Sequence, residues 1–151
     1  MKRIRISEYL KREHIKFIKS TSKKDVLKEM CELIGDSPEI KDKKILFKKF
    51  LEREKILSTA VGGGIAIPHI KLDSVKDFVV GIGISKKGIK FDSLDNKPVH
   101  IIIMIAAPAH KHTEYLKLLA QIVLVLKNTE LRKKIVHSKN EDEIFNILNK
   151  K

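Results

Sequence analysis

One histidine follows a run of three glycines and a short apolar stretch, in GGGIAIPH at residues 62–69. Ile67 precedes a proline and is therefore held in an extended conformation, and Pro68 fixes its own φ. His69 consequently leaves this segment in a defined direction. Neutral imidazole is a nucleophile at physiological pH, and phosphorylated histidine transfers its group onward readily. The pattern indicates a histidine placed for phosphoryl transfer, and a turn histidine without chemistry is the alternative.

Such a carrier needs an exposed ring, a fixed tautomer, and cations or N–H donors for the phosphoryl oxygens. The three glycines at 62–64 allow positive φ and the close approach of another backbone, and open N–H groups near them could receive an anion. A nucleotide site is not indicated, because GGG is followed by IAIP and not by a helix-opening GK[ST] or GxGxxG pattern. The GxSxG elbow of serine hydrolases is also missing from the sequence.

The other five histidines are weaker candidates. His110 and His112 lie two residues apart in AHKHTEY, but no third ligand follows at a spacing that zinc requires, so we expect no metal site. His14 and His137 lie in basic segments and are predicted to be surface residues. His100 lies inside an apolar run and is predicted to be a hydrogen-bonded core or strand-end side chain.

The composition is that of one globular domain: 151 residues, of which 42% are apolar and 34% charged. The apolar runs are much shorter than the ~18 residues of a membrane helix. The N-terminal segment has charged residues where a secretory signal would have its apolar stretch. With one cysteine, Cys31, no internal disulfide can form. We expect a cytoplasmic protein that does not insert into a membrane. The net charge of +13 indicates either a solvated lysine surface or a basic patch for an acidic partner or nucleic acid.

Helical patterns surround a strand-rich middle. Ser22 and Asp25 form a capping-box-like start for a first helix, and a second is predicted from about 41 to 57. Residues 78–84 and 98–106 are nearly continuous in β-branched and apolar character, as strands buried on both faces are.

Helices are also predicted after the strands. The third, in HTEYLKLLAQIVLVLKN, has an apolar face predicted to comprise Leu116, Leu119, Ile122, Val123 and Leu126. Two short helices follow, the last with Asn140 as its N-cap. A first, edge strand is predicted either at KRIRIS or around residues 15–18. Together these patterns predict a single α/β domain over residues 1–151, with a small mixed β-sheet flanked by helices on both faces.

Beyond these patterns, the segment from residue 52 to 122 closely resembles the IIA domain of the fructose/mannitol class of the bacterial phosphoenolpyruvate–sugar phosphotransferase system, a family that includes nitrogen-regulatory IIA proteins. The specific elements are GIAIPH, the upstream REKILST, and FDSLDNKPV before the second long strand. The likeness extends over about residues 7–148. It implies a phosphotransferase component with the fold predicted above and no cofactor.

The resemblance also implies roles for individual residues. His69 would accept a phosphoryl group from an HPr-type phosphocarrier protein, then pass it to a IIB domain or hold it as a signal to a regulated target. Arg53 matches the arginine that helps to position the phosphoryl group. The loop lining the site is matched by Thr59, Gly62, Gly63 and Gly64.

The chain departs from the family at one position of the site. Family members usually carry a second histidine, which supports the active-site ring or the phosphoryl group, where this chain has Tyr115. The tyrosine hydroxyl can donate a hydrogen bond but carries no positive charge. His112, one turn earlier if the helix already includes it, is the alternative supporting residue.

Two questions of function stay open at this point. Sugar transport and nitrogen-type regulation both fit a IIA chain of this length. A non-catalytic regulatory module, whose basic surface engages an acidic protein or nucleic acid, is the alternative from another class. Specific nucleic-acid recognition by base stacking is not expected, because aromatic residues are only 5% of the chain.

Overall fold

The computed structural model describes residues 4–150, which form one mixed six-stranded sheet with helices on both faces. β5 (Val79–Ile89) and β6 (Val99–Pro108) are its antiparallel centre. β1 (Leu10–Phe17) pairs in parallel with β5 at one edge. On the other side of β6, β3 (Ile65–Ala66) and β4 (His69–Leu72) follow one another, both parallel to it, and β2 (Ala60–Gly62) pairs antiparallel with β3.

Two helical layers cover the sheet, as the sequence predicts. The helices are α1 (Lys23–Gly35), α2 (Lys43–Ile56), α3 (His112–Leu126), α4 (Thr129–Val136) and α5 (Glu141–Asn149). Side chains of β6 alternate between the layers: Ile103 and Ile105 share a core with α3, α4 and α5, whereas Ile102 and Met104 share one with α1 and α2. No helix within residues 4–150 is both long and apolar enough to cross a bilayer.

The predicted helix caps are present. Ser22 Oγ accepts a hydrogen bond from the N–H of Asp25 at 3.2 Å, and Asn140 Oδ1 accepts one from Glu143 at 3.0 Å. Each satisfies a backbone donor that the first turn of a helix leaves without an intrahelical partner. Asp42 caps α2 in the same way. Asn128 caps α4 likewise, because its Oδ1 accepts a hydrogen bond from the N–H of Leu131 at 3.1 Å. Local signals of this kind therefore set the starts of four of the five helices within residues 4–150.

The first strand overlaps the second of the two predicted positions, residues 15–18, but begins five residues before it and ends at Phe17. Of the KRIRIS segment, residues 2 and 3 lie outside the described residues, and Ile6–Glu8 forms a 3₁₀ turn instead of a strand. β1 is an edge strand that begins at Leu10. Ile6 is fully buried in the core beneath α3 to α5. This segment therefore contributes to the core without adding a strand to the sheet.

The predicted apolar face of α3 is wrong at two of its five positions. Leu116 and Val123 are each 51% exposed, whereas the buried stripe runs through Tyr115, Leu118 and Ile122 to the end of the helix. The helix has apolar residues around most of its circumference, so periodicity could not decide which stripe faces the sheet. Packing of this stripe directs the Tyr115 ring inward.

The prediction that His14 is a surface residue is also wrong, since the side chain is 5% exposed. The register between β1 and β5 is irregular between Leu10 and Ile15. As a result, two consecutive residues of β1, His14 and Ile15, are both buried. The ring atom Nδ1 is buried, and no group within residues 4–150 forms a hydrogen bond with it. Burial lowers the pKa of His14, and the nearby carboxylates of Glu13 and Asp36 only partly oppose this.

We expect His14 to make the fold less stable in mild acid. The unfolded chain protonates this ring at a higher pH than the folded chain does, so the free energy of unfolding decreases as pH falls below about 6.5, by at most about 1.4 kcal/mol per pH unit. His14→Phe should reduce this dependence in urea unfolding at pH 7.5 and 5.5 and leave the part due to His69, whose pKa is also lowered. His137→Gln, at an exposed position, should keep the whole dependence. Equal pH dependence in wild type and His14→Phe would contradict the expectation.

Candidate functional site

The segment before His69 is bonded on both sides. The N–H of Ile67 donates to the carbonyl oxygen of Thr59 at 3.0 Å, and the N–H of Ile105 in β6 donates to the carbonyl oxygen of Pro68 at 2.9 Å. Pro68 has no N–H, so the ladder is interrupted here and the chain divides into the two short strands β3 and β4. This interruption sets the position from which the His69 side chain leaves the sheet.

One hydrogen bond determines the chemistry of the His69 ring. Nδ1 lies 2.5 Å from the carbonyl oxygen of Ile67, and because a carbonyl only accepts, Nδ1 must carry the proton. The neutral ring then has its lone pair on Nε2. The side chain is half-buried and lines a depression of about 380 Å³ between α2 and the start of α3. The accessible nucleophilic atom is therefore Nε2.

Electrostatics keep this ring neutral. Burial lowers the pKa of His69, and the Arg53 cation lowers it further, against the opposing effects of the Ile67 carbonyl and the Glu54 carboxylate. A lowered pKa means that the unprotonated ring predominates at pH 7. The arrangement leaves Nε2 able to attack an electrophile without a separate general base.

Arg53 lines the same depression as His69. Its Nη1 donates to the carbonyl oxygen of Leu57 at 2.8 Å, just past the end of α2. This bond holds the half-buried guanidinium in place and uses one of its five N–H donors. The guanidinium is thereby presented at the depression as a fixed cation for an anion.

Thr59 does not line the depression, and its hydrogen bonds lie within the protein. Its N–H and hydroxyl both donate to the buried carboxylate of Glu54, at 2.8 and 2.5 Å. Lys23 pairs with the same carboxylate at 2.8 Å. Since the carbonyl of Thr59 receives the Ile67 N–H, this network supports the segment that holds His69. Thr59 thus supports the backbone before His69, and its predicted place in the loop that lines the phosphoryl site stays a prediction.

Tyr115, and not His112, packs beside the candidate nucleophile. Its ring centroid lies 5.9 Å from that of His69, and the side chain is 6% exposed. Burial raises the pKa of Tyr115 to about 12, so its hydroxyl is neutral at pH 7. His112 is exposed at the start of α3, with its ring 6.3 Å from that of Tyr115. It lies outside the lining of the depression.

The three glycines form a turn at the far end of the β2–β3 hairpin. Gly62, Gly63 and Gly64 all have positive φ, which favours glycine. Their register places them beside residues 100 and 101 of β6, whereas His69 pairs with Ile105, four residues beyond Ile101, or roughly 13 Å along a strand. The N–H of Gly63 donates to Asp95. They do not line the depression, and a role in partner approach stays a prediction.

Glu54 and Lys71 are among the residues of the site that were not predicted from the sequence. Glu54 follows Arg53 directly, and only the tertiary structure shows that it faces inward toward Thr59 while its neighbour faces the depression. Lys71 lines the depression from β4. The alternation of a strand, which places residues two apart on one face, could have identified Lys71 once His69 was assigned to a strand. Within residues 4–150, no three His, Cys, Asp or Glu side chains are grouped as metal ligands.

Comparison with known proteins identifies the family and agrees with the fold. The family model described as phosphoenolpyruvate-dependent sugar phosphotransferase system, EIIA 2, matches residues 8–151. The fructose-specific EIIABC component of Bacillus subtilis is 35% identical over 147 residues, which are 97% of this chain and 23% of that protein. This chain therefore spans less than a quarter of that relative's length.

Two further relatives are similar over most of their length. The nitrogen regulatory protein of Bradyrhizobium diazoefficiens is 33% identical over 135 residues, 87% of this chain and 85% of that protein. The crystal structure of nitrogen regulatory protein IIA-Ntr from Neisseria meningitidis matches with a TM-score of 0.87 at 28% identity, over 95% of this chain and 98% of that one. The fold described above is thus the fold of these proteins.

We expect Arg53 to depress the pKa of the His69 ring in solution. Arg53→Gln removes a cation that favours the neutral ring, so the pKa of His69 should rise, as followed by NMR titration of the ring nitrogens. Lys55→Gln removes one positive charge from the same last turn of α2, at a position that does not line the depression, and should leave that pKa unchanged. An equal response to both substitutions would indicate a general charge effect.

Proposed function

Because the chain belongs to the EIIA 2 family of the phosphoenolpyruvate-dependent sugar phosphotransferase system, we propose that it is a phosphoryl carrier whose acceptor atom is His69 Nε2. The observation that carries this proposal is the hydrogen bond between His69 Nδ1 and the carbonyl oxygen of Ile67. It leaves a single nitrogen with a lone pair, in a side chain that lines a depression with Lys49, Arg53 and Lys71.

The transfer step balances without a further proton acceptor. The lone pair of His69 Nε2 attacks the phosphorus atom of a donor phosphohistidine, the donor's P–N bond breaks, and its electron pair returns to the donor nitrogen. His69 keeps the proton on Nδ1, so the phosphorylated ring is cationic. The Ile67 carbonyl oxygen stabilises that charge through the hydrogen bond already present.

Arg53 stabilises the phosphoryl oxygens in this proposal. A guanidinium presents donors in a planar fork that matches a phosphoryl group, and the bond to the Leu57 carbonyl holds it in place before the donor arrives. Pre-oriented donors lower the barrier because they do not reorganise during the reaction. The neutral Tyr115 closes the depression beside the ring and limits access of water.

We further propose an HPr-type phosphocarrier protein as the donor. The acceptor is either a IIB domain or a regulated protein that responds to the phosphorylation state. The fructose-specific relative, by its name, joins EIIA to B and C parts, which supports the first. The nitrogen regulatory relatives support the second. Transfer from the phosphorylated protein to a IIB domain from its own source would distinguish the two.

We expect one phosphoryl group to appear on His69. Incubation with phosphoenolpyruvate, Enzyme I and HPr from the same source should add one phosphoryl mass, stable in base and labile in acid. His69→Ala should abolish the label while the far-ultraviolet circular dichroism and unfolding midpoint stay close to wild type, because the half-buried ring contributes little to the core. His137→Ala, at an exposed position, should label normally. Labelling of His69→Ala at any residue would refute the assignment.

We also expect Arg53→Lys to slow phosphoryl transfer by about 10- to 100-fold, the range expected when one charge-assisted hydrogen bond is lost or weakened. Rapid-quench measurement of transfer from phosphorylated HPr gives the rate. Arg132→Lys is a matched control, because Arg132 Nη1 also donates to carbonyl oxygens at the end of a helix, Leu126 at 2.7 Å, but lies outside the depression. Unchanged kinetics in Arg53→Lys would remove Arg53 from the site.

A further inference from the structure

Three cations line the depression around His69, and they differ in what already binds them. Lys49 lies 3.6 Å from the carboxylate of Glu52, one helical turn away. Arg53 is bound to a backbone carbonyl, as described above. Among the ion pairs formed within residues 4–150, none includes Lys71. Lys71 therefore brings a positive charge to the depression without a carboxylate to balance it.

The position of Lys71 follows from strand geometry. His69 and Lys71 are two residues apart in β4, and side chains at this spacing lie on the same face of a strand. The residue between them, Ile70, is buried in the opposite core with α1 and α2. Both side chains consequently extend toward α3, where the ring of Tyr115 contacts them: its centroid is 5.9 Å from the His69 ring and 5.6 Å from Lys71 Nζ.

His112 holds the ammonium group of Lys71 in the unmodified protein. Lys71 Nζ lies 2.6 Å from His112 Nδ1, and since an ammonium group only donates, His112 Nδ1 must accept and be unprotonated. This is a hydrogen bond to a neutral group on the exposed side of α3. A nearby phosphoryl dianion is a stronger acceptor for an ammonium than a neutral imidazole is.

We propose that Lys71 is a second phosphoryl-binding residue, whose ammonium group leaves His112 Nδ1 and contacts the phosphoryl oxygens on His69 Nε2 opposite Arg53. This rests on the proposed carrier function. No covalent bond forms or breaks at Lys71, and it keeps its proton throughout. The incoming group carries close to two negative charges, which the cations of Lys71 and Arg53 offset.

The proposal gives Tyr115 and His112 distinct roles. Tyr115 is buried and neutral, so it cannot supply a positive charge beside the phosphoryl group. His112 carries no charge while it accepts from Lys71. Lys71, in contrast, brings its charge from the strand that holds the nucleophile. The charge that a second histidine would supply in the family thus comes from β4 and not from α3.

The experiment compares phosphoryl transfer from phosphorylated HPr to wild type, Lys71→Met, Lys71→Arg and Lys55→Met. Lys71→Met keeps roughly the length of the side chain but removes its charge and its hydrogen-bond donors. Transfer should slow by about 10- to 100-fold, the scale of one charge-assisted hydrogen bond. Lys71→Arg should recover most of the rate. Lys55→Met, which removes a charge outside the depression, should transfer at the wild-type rate.

A second measurement follows the His112 ring by NMR in wild type and in Lys71→Met. Phosphorylation of His69 should break the bond between Lys71 and His112, so the NMR resonance of His112 Nδ1 should shift when the label is added. In Lys71→Met that resonance should already differ before labelling and should respond little afterwards. An unchanged His112 Nδ1 resonance in phosphorylated wild type would overturn the proposal that Lys71 moves to the phosphoryl group.

The outcomes separate the two proposals. If wild type is labelled on His69 and Lys71→Met accepts the group at the wild-type rate, Lys71 is not a phosphoryl-binding residue and the carrier function stands. If Lys71→Arg transfers as slowly as Lys71→Met, the charge is not what matters, and the inference also fails. If wild type itself accepts no phosphoryl group from HPr, the carrier function fails and the inference with it.

Discussion

The hydrogen bond from His69 Nδ1–H to the carbonyl oxygen of Ile67 is the interaction on which the site depends. A histidine ring with both nitrogens exposed could be phosphorylated or protonated at either. With Nδ1 bound to a backbone carbonyl, only Nε2 remains available, and the ring orientation is set by the chain that precedes it. Ile67 and His69 flank Pro68, so the bond closes over a residue whose φ is nearly invariant.

The rest of the structure keeps the Ile67 carbonyl in place. The N–H of Ile67 donates to Thr59, and Thr59 is held by both oxygens of the Glu54 carboxylate. A buried carboxylate is costly unless it is paired and hydrogen-bonded, and Glu54 meets that condition through Lys23 and Thr59. The position of one imidazole thus depends on a polar network that reaches the first turn of α1. Such networks are sensitive to the loss of a single member.

The site is also a product of how the sheet is covered. β4 lies along β6, with Ile70 facing α1 and α2 while His69 and Lys71 face α3. The depression forms where the end of α2 and the start of α3 leave this strand exposed between them. The cations at its walls come from two elements distant in sequence, Lys49 and Arg53 from α2 and Lys71 from β4. Burial lowers the pKa of His69, and the positive charge of Arg53 lowers it further.

Local signals in the sequence determined the elements, their caps and the identity of the candidate nucleophile, because these depend on residues only a few positions apart. Ser22 with Asp25, the β-branched runs of β5 and β6, and Pro68 before His69 are of this kind. Contacts between distant segments were decided only by the tertiary structure. In the tertiary structure His14 is buried, and Tyr115 faces the sheet in place of Leu116. Glu54 is bonded to Thr59, and the three glycines lie outside the depression. The physical reason is that the face of an element that is covered depends on what packs against it.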